Sequence, residues 1–277
     1  MTKILVPTDF SENSKCAFNY AVKLAEQLNA EITVVHIYHP SVNSMNEYMI
    51  ITDNELEAIS KDRLNEFVKV KKSKSQNEET VTDRVEQKLE VGFAAEKLVN
   101  MSKSGEYDMI VMGATGSTGL LEMVFGKVSL HVAQSSACPV LLIPAGVRFE
   151  SIQEIMYAIE YELVNENCLV QLEKLSDKLN ANIHLVHVYE GIKKKTNGAK
   201  SSLIEKIFRQ KVPGLKFTME AISSDSVVHG LEEYAREKNM NWMVLVKPQR
   251  KFWQRLLHTS KANEIIMNPQ IPLMVMH

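Results

Sequence analysis

Three cysteines, Cys16, Cys138 and Cys168, are all that the 277-residue chain holds, and no two stand at C-x-x-C spacing. That scarcity argues against a disulfide framework and against a thiolate zinc site. Charge of one sign is missing too. The net charge is −2, so no overall basic field exists for nucleic acid or an acidic membrane. No apolar run is long enough to span a bilayer. A secretory leader is not expected, because Asp9 and Glu12 interrupt the chain before any long apolar run. These absences together lead to the expectation of a reducing, cytoplasmic setting. What is present is apolar material, 45% of residues, enough to bury the core of one large domain or two ordinary ones.

Residues 3–8 are almost continuously apolar, as expected of a strand buried on both faces. Asp9 and Ser11 follow, and Ser11 is placed to cap a helix running to about Asn29. Ala17, Tyr20, Ala21, Leu24, Ala25 and Leu28 give that helix one apolar stripe. With a strand at 31–37, the opening is β-α-β on a parallel sheet. Leu56, Ile59, Leu64, Phe67 and Val68 suggest a helix in the less regular stretch 40–85. The basic run with Lys71, Lys72 and Lys74 reads as a solvated helix end or loop rather than a nucleic-acid contact. Then come a strand at 85–91, a helix at 93–104 closed by Gly105, and a strand at 109–112. A helix from about Lys127 to Ser136, broken by Cys138-Pro139, leads to a strand at 140–143.

After a short linker, 145–150, the plan repeats. At an offset of 151, Ile155 matches Ile4, and KLAEQLNAEITVVHIY (23–38) aligns without a gap with KLSDKLNANIHLVHVY (174–189). An internal duplication accounts for this. The second copy continues with a polar insert at 191–202, a strand at 215–222, a helix at 226–238, and strands at 243–246 and 273–276. The α/β alternation predicts two tandem doubly wound, flavodoxin-like parallel-sheet domains. Ligands of such sheets sit beyond the carboxyl ends of the strands at the switch point. Asp9 ends the first strand and Gly113 the fourth, so the two are expected to face one crevice.

Gly113, Gly116, Gly119 and Gly126 punctuate the segment between the fourth strand and its helix. Glycine lets backbone approach closely or take φ > 0, and the first N–H groups of a helix point outward at an anion. A Walker loop ending at Lys127 fails, because Leu121 and Val128 stand where glycine and Ser/Thr are required. A dinucleotide fingerprint fails on spacing and on its late place in the chain. By itself the segment is either an anion cradle or a set of plain turns.

The G-x2-G-x9-G spacing of Gly113, Gly116 and Gly126 has company. With KILVPTDFS (3–11) and CPVLLI (138–143), it resembles the universal stress protein family. The resemblance covers the chain as two copies, specific in 1–146 and degenerate in 151–277. It implies an adenine nucleotide α-hydrolase-like fold and an ATP site in the first copy, with Mg2+ as companion and AMP or ADP as alternative occupants. Pro7, Thr8 and Asp9 would meet the adenine or ribose, Asp9 being otherwise a turn or cap residue. The backbone at Ile37 and Met112 would line the same groups. Gly113, Gly116, Gly126, Lys127 and Val128 would wrap the phosphates. The family's ATP binders carry Ser or Thr where Lys127 stands. That lost hydrogen bond is worth about 1.5–3 kcal/mol. Lys127 either replaces it as a point charge on phosphate or points into solvent, and Ser129 is a candidate substitute hydroxyl.

The second copy has Glu160 for Asp9, Lys247-Pro248 for the first glycine, and no glycine from 247 onward. It is read as having lost the site, with Phe252, Trp253 and Leu256 as a contact patch. His36 and His187 fall at the same place in the two copies and are read as structural, hydrogen-bonded histidines. No nucleophile–base pair, carboxylate pair or metal-ligand spacing emerges, so at most slow ATP hydrolysis or autophosphorylation is expected. The resemblance implies a regulatory sensor that reports to protein partners. It also implies an intramolecular pseudo-dimer through the last strand of each copy, and is compatible with a homodimer. Two other readings stay open: an interaction or scaffold protein with a decayed motif, and an enzyme of the related hydrolase folds.

Overall fold

The computed structural model describes residues 2–39, 53–69, 85–114, 126–159, 166–190, 198–246 and 271–277. They fall into two compact units that divide between Phe149 and Glu150.

The first unit opens with β1 (Thr2–Thr8), whose side chains are buried at five of seven positions. Ser11 then starts α1 (Glu12–Leu28) by accepting the Ser14 N–H, and Asn29 ends it in the left-handed conformation. β2 (Ala30–Tyr38), α2 (Asp53–Val68), β3 (Val85–Val91), α3 (Ala94–Lys103), β4 (Met109–Gly113), α4 (Lys127–Ser135) and β5 (Val140–Ile143) follow. Gly105, at φ 74°, turns the chain away after α3 as expected. The order is β3-β2-β1-β4-β5, with every pairing parallel. The first crossovers move outward from β1 to β3, and the chain then returns to the far side of β1 through α3. With right-handed crossovers, α1 and α2 cover one face, and α3 and α4, which pack on each other, cover the opposite one. Strands β4 and β5 are buried at every residue, in keeping with their unbroken apolar runs.

The second unit repeats the plan with β6 (Glu154–Ala158), α5 (Glu166–Leu179), β7 (Asn182–Glu190), α6 (Gly198–Lys211), β8 (Phe217–Ser224), α7 (Val227–Glu237), β9 (Trp242–Val246) and β10 (Leu273–Met276). Its order, β10-β9-β6-β7-β8, matches that of the first unit. One expectation needs correction. The stretch 191–202 was expected to be a polar insert leading to a strand, yet α6 begins at Gly198. Only Leu203, Ile204, Ile207 and Phe208 carry its apolar period, too short a run to stand out. The burial of Phe208, against Phe217 at a 6.0 Å ring separation, comes from the sheet. Likewise β8 starts at Phe217, because Leu215 is spent on a turn that closes onto the Val212 carbonyl.

Candidate functional site: the carboxyl edge of the first unit

β1 and β4 pair at Ile4↔Met109 and Leu5↔Ile110, and both run three residues further. This is the switch point of the sheet, so the expected neighbours do meet at one edge.

At the end of β1, Thr8 is buried. Its hydroxyl lies 3.0 Å from that of Ser14 and accepts the Phe10 N–H at 2.9 Å. Phe10 takes a left-handed φ of 65°. Asp9 stays exposed, and its Oδ1 accepts the Ser11 N–H at 3.0 Å. The turn role of Asp9 is therefore present, with a carboxylate at the edge as well. His36 Nδ1 donates to the Thr8 carbonyl at 2.8 Å and ties β2 to the last residue of β1. Burial lowers the His36 pKa against the pull of that bond, and Arg63 adds to the lowering, so the neutral ring is favoured. Pro7 and Ile37 are half-buried on the same edge.

At the end of β4, Met112 is buried and Gly113 pairs with Ile143. The Ala114 N–H donates to the Ile143 carbonyl at 2.9 Å, and the Gly126 N–H returns to the Ala114 carbonyl at 3.0 Å. The glycine-containing segment is thus closed at its base. Gly116 and Gly119 lie outside the described residues. Neither Gly113 nor Gly126 is among the residues with positive φ, and Gly126 sits at φ −54°. A left-handed backbone is therefore not what glycine supplies at Gly126. Gly126 is the N-cap of α4, and no side chain caps the helix. Lys127 and Val128 are exposed in its first turn. The helix therefore presents outward N–H groups with a cation beside them.

Ser129 corrects an expectation. It is buried, and its hydroxyl donates to the Gly113 carbonyl at 2.9 Å. Its proton is committed to joining α4 to β4, so it does not replace the missing Ser/Thr as a donor to a ligand.

Two features were not legible beforehand. Lys15, on α1, donates to the Phe67 carbonyl at the end of α2 and lies over the rings of Phe18 and Phe67, at 5.0 and 4.8 Å. α2 has no basic residue in its own last turn, so α1 supplies the cation that a helix C-terminus favours. Arg63 lies 4.4 Å over the Phe10 ring, which in turn meets His36 at 4.2 Å. The basic run at 70–79 lies outside the described residues.

In the second unit, His187 Nδ1 donates to the Ile159 carbonyl at 2.8 Å, and burial lowers its pKa too. Both repeated histidines are structural latches. Glu160 and the 247–256 stretch lie outside the described residues. Among the described residues no group of three or more His, Cys, Asp or Glu could hold a metal, and no helix is long and apolar enough to cross a membrane.

An open parallel sheet with an uncapped helix start at its switch point defines an α/β protein of flavodoxin-like, adenine nucleotide α-hydrolase-like fold. The model of the universal stress protein family matches residues 1–144. The chain belongs to that family. Universal stress protein YxiE of Bacillus subtilis is 29% identical over 144 residues, covering 51% of this chain and 97% of the relative. Universal stress protein MJ0577 of Methanocaldococcus jannaschii is 31% identical over 156 residues, covering 51% and 93%. Over both units, the fold is similar to the crystal structure of a universal stress protein from Archaeoglobus fulgidus. The TM-score is 0.67, at 18% identity, with 99% of this chain and 95% of that one covered.

Proposed function

We propose that the first unit binds an adenine nucleotide, ATP with or without Mg2+, at its carboxyl edge, and that the chain acts as a cytoplasmic regulatory sensor of that nucleotide. The observation that carries this reading is the start of α4. Gly126 leaves it without a side-chain cap, Lys127 is exposed in its first turn, and Ser129 anchors it to the end of β4. An anion fits such a start on both geometry and charge. In this reading the backbone from Gly113 to Val128 holds the phosphates and Lys127 neutralises them. Asp9, with Pro7, Thr8, Ile37 and Met112, holds the nucleoside. The reducing setting agrees with three cysteines that form no disulfide, of which burial pushes Cys138 up to about 12 and Cys168 up to about 11. Such thiols stay protonated and unreactive.

A second reading is favoured by one observation, the lysine where the ATP binders of the family have Ser or Thr. In it, the motif has decayed and the chain serves as an interaction module. Calorimetric titration of the full chain with ATP, with and without Mg2+, separates the two. The sensor reading expects one site of micromolar order. It also expects loss of binding in Gly113→Val with the far-ultraviolet spectrum unchanged, and about tenfold weakening in Lys127→Ala. Two equivalent sites would overturn the assignment to the first unit alone. An absence of heat at millimolar ATP would leave the interaction module.

A further inference from the structure

The amino edge of the second unit holds a chain of four side chains whose hydrogen bonds outnumber the protons that its neutral groups bring. Tyr234, buried on α7, donates to Glu220 Oε1 on β8 at 2.9 Å. His184 on β7 places Nδ1 at 2.9 Å from the Tyr234 hydroxyl and Nε2 at 2.7 Å from Glu154 Oε2 on β6. Asn182 donates to the other Glu154 oxygen at 2.9 Å. Lys238 Nζ stands 3.8 Å from Glu220 Oε1, and the Thr218 hydroxyl is a longer 3.3 Å from His184 Nδ1.

Ionised carboxylates only accept. Tyr234 has one proton to give, and a neutral imidazole has one. Three bonds in series from Glu154 to Glu220 need three protons. If His184 were neutral and bonded to Glu154, its bare Nδ1 would face the oxygen of a tyrosine whose proton already points at Glu220. Two lone pairs would then oppose each other at hydrogen-bond distance in a half-buried place, where an unmade bond is costly. The third proton resolves this. On His184, the most basic member, it leaves the set with two carboxylates, one imidazolium and an adjacent ammonium.

We propose that Glu154, His184, Tyr234 and Glu220 form a proton-binding site that holds His184 as imidazolium at neutral pH and ties β6, β7 and β8 to α7. A protonated ring there contrasts with His187, three residues along the same strand, whose burial favours the neutral ring.

Nitrogen-15 spectra of the histidine-labelled full chain at about pH 7.5, a unit above the free imidazole value, test the proposal. The signal of His184 is assigned by its loss in His184→Gln. The expected result is two protonated ring nitrogens at His184 beside neutral rings at His36 and His187. A lone-pair nitrogen at His184 would overturn the site, and this outcome needs no variant to fold. Tyr234→Phe gives the second arm. It removes the step that demands the extra proton, so His184 should turn neutral at a lower pH than in the unaltered chain. An unchanged imidazolium would show that Glu154 alone holds the proton and would overturn the four-membered site.

Discussion

The two units share a strand order and a repeat offset, yet their amino edges are built from opposite charges at equivalent positions. Lys3, second in β1, stands where Glu154 opens β6. In the first unit Lys3 meets Glu106 at 2.8 Å and Glu86 at 3.4 Å, and Lys88 bonds the Tyr107 hydroxyl at 2.9 Å. In the second, the register puts Glu220 where Lys88 stands and His184 where Thr33 stands, and Tyr234 supplies the hydroxyl. Beneath the side chains the backbone clamp is the same. Asp108 accepts the Lys3 N–H at 2.8 Å and its own N–H returns to the Lys3 carbonyl. Asn241 accepts the Glu154 N–H at 2.9 Å and returns its N–H likewise. The histidine latches at the carboxyl edges repeat too, His36 on Thr8 and His187 on Ile159. What the duplication holds constant is satisfaction of the backbone at strand ends. What it leaves free is the charge that decorates them, because any closed set of donors and acceptors serves there.

The comparison can be broken hardest at the two cores. Phe18 and Trp242 are fully buried, one in each unit, and Phe18→Ala or Trp242→Ala should each cost about 3–5 kcal/mol. Urea unfolding checks this, and a loss below about 1 kcal/mol for either would show that unit's core to be misassigned. Next comes Gly230, found on α7 of the second unit. An added Cβ would lie 2.8 Å from Val188 Cγ1 and 2.9 Å from Ser224 Cβ. Gly230→Ala should therefore destabilise by about 1–3 kcal/mol although it raises helix propensity. A stabilised variant would mean that α7 does not pack so closely. Ser129→Ala should cost about 1–2 kcal/mol by stranding the Gly113 carbonyl, with Ser129→Thr the control that keeps the donor. Reversing a charge, Lys3→Glu, imitates the second unit within the first. It should cost about 1 kcal/mol at low salt and less at high salt, since the pairs are partly exposed.

The smallest effect is the acid limb. His36 and His187 have lowered pKa values in the fold, first from burial. Their contribution is whole above the unfolded value near 6.5 and is lost as pH falls below it. His36→Gln and His187→Gln should each flatten the decline in unfolding free energy between about pH 7 and pH 5. Unchanged slopes would count against the latches as the source.

Local signals were readable without coordinates. Ser11 caps α1 and Gly105 closes the turn after α3, because both act within four residues of themselves. β4 and β5 declared themselves through unbroken apolar runs. The failures have one cause. Ser129 reaches a carbonyl 16 residues away, Lys15 one 52 residues away, and His184 a tyrosine 50 residues away. None of those partners leaves a mark on the sequence near the residue. α6 was missed for a related reason: its apolar face is completed by the sheet, not by its own periodicity.

By itself, then, the sequence determined the order of strands and of every helix but α6, the duplication, the α/β class and the glycine spacing that led to the family. These follow from steric and hydrophobic periods that each short stretch carries within it. Tertiary structure decided that Lys15 serves the end of α2, that Ser129 serves the scaffold, and that a histidine stands between two carboxylates. Hydrogen-bond partners and proton counts depend on distances of about 3 Å between residues far apart in the chain, and those distances exist only once the sheet has formed.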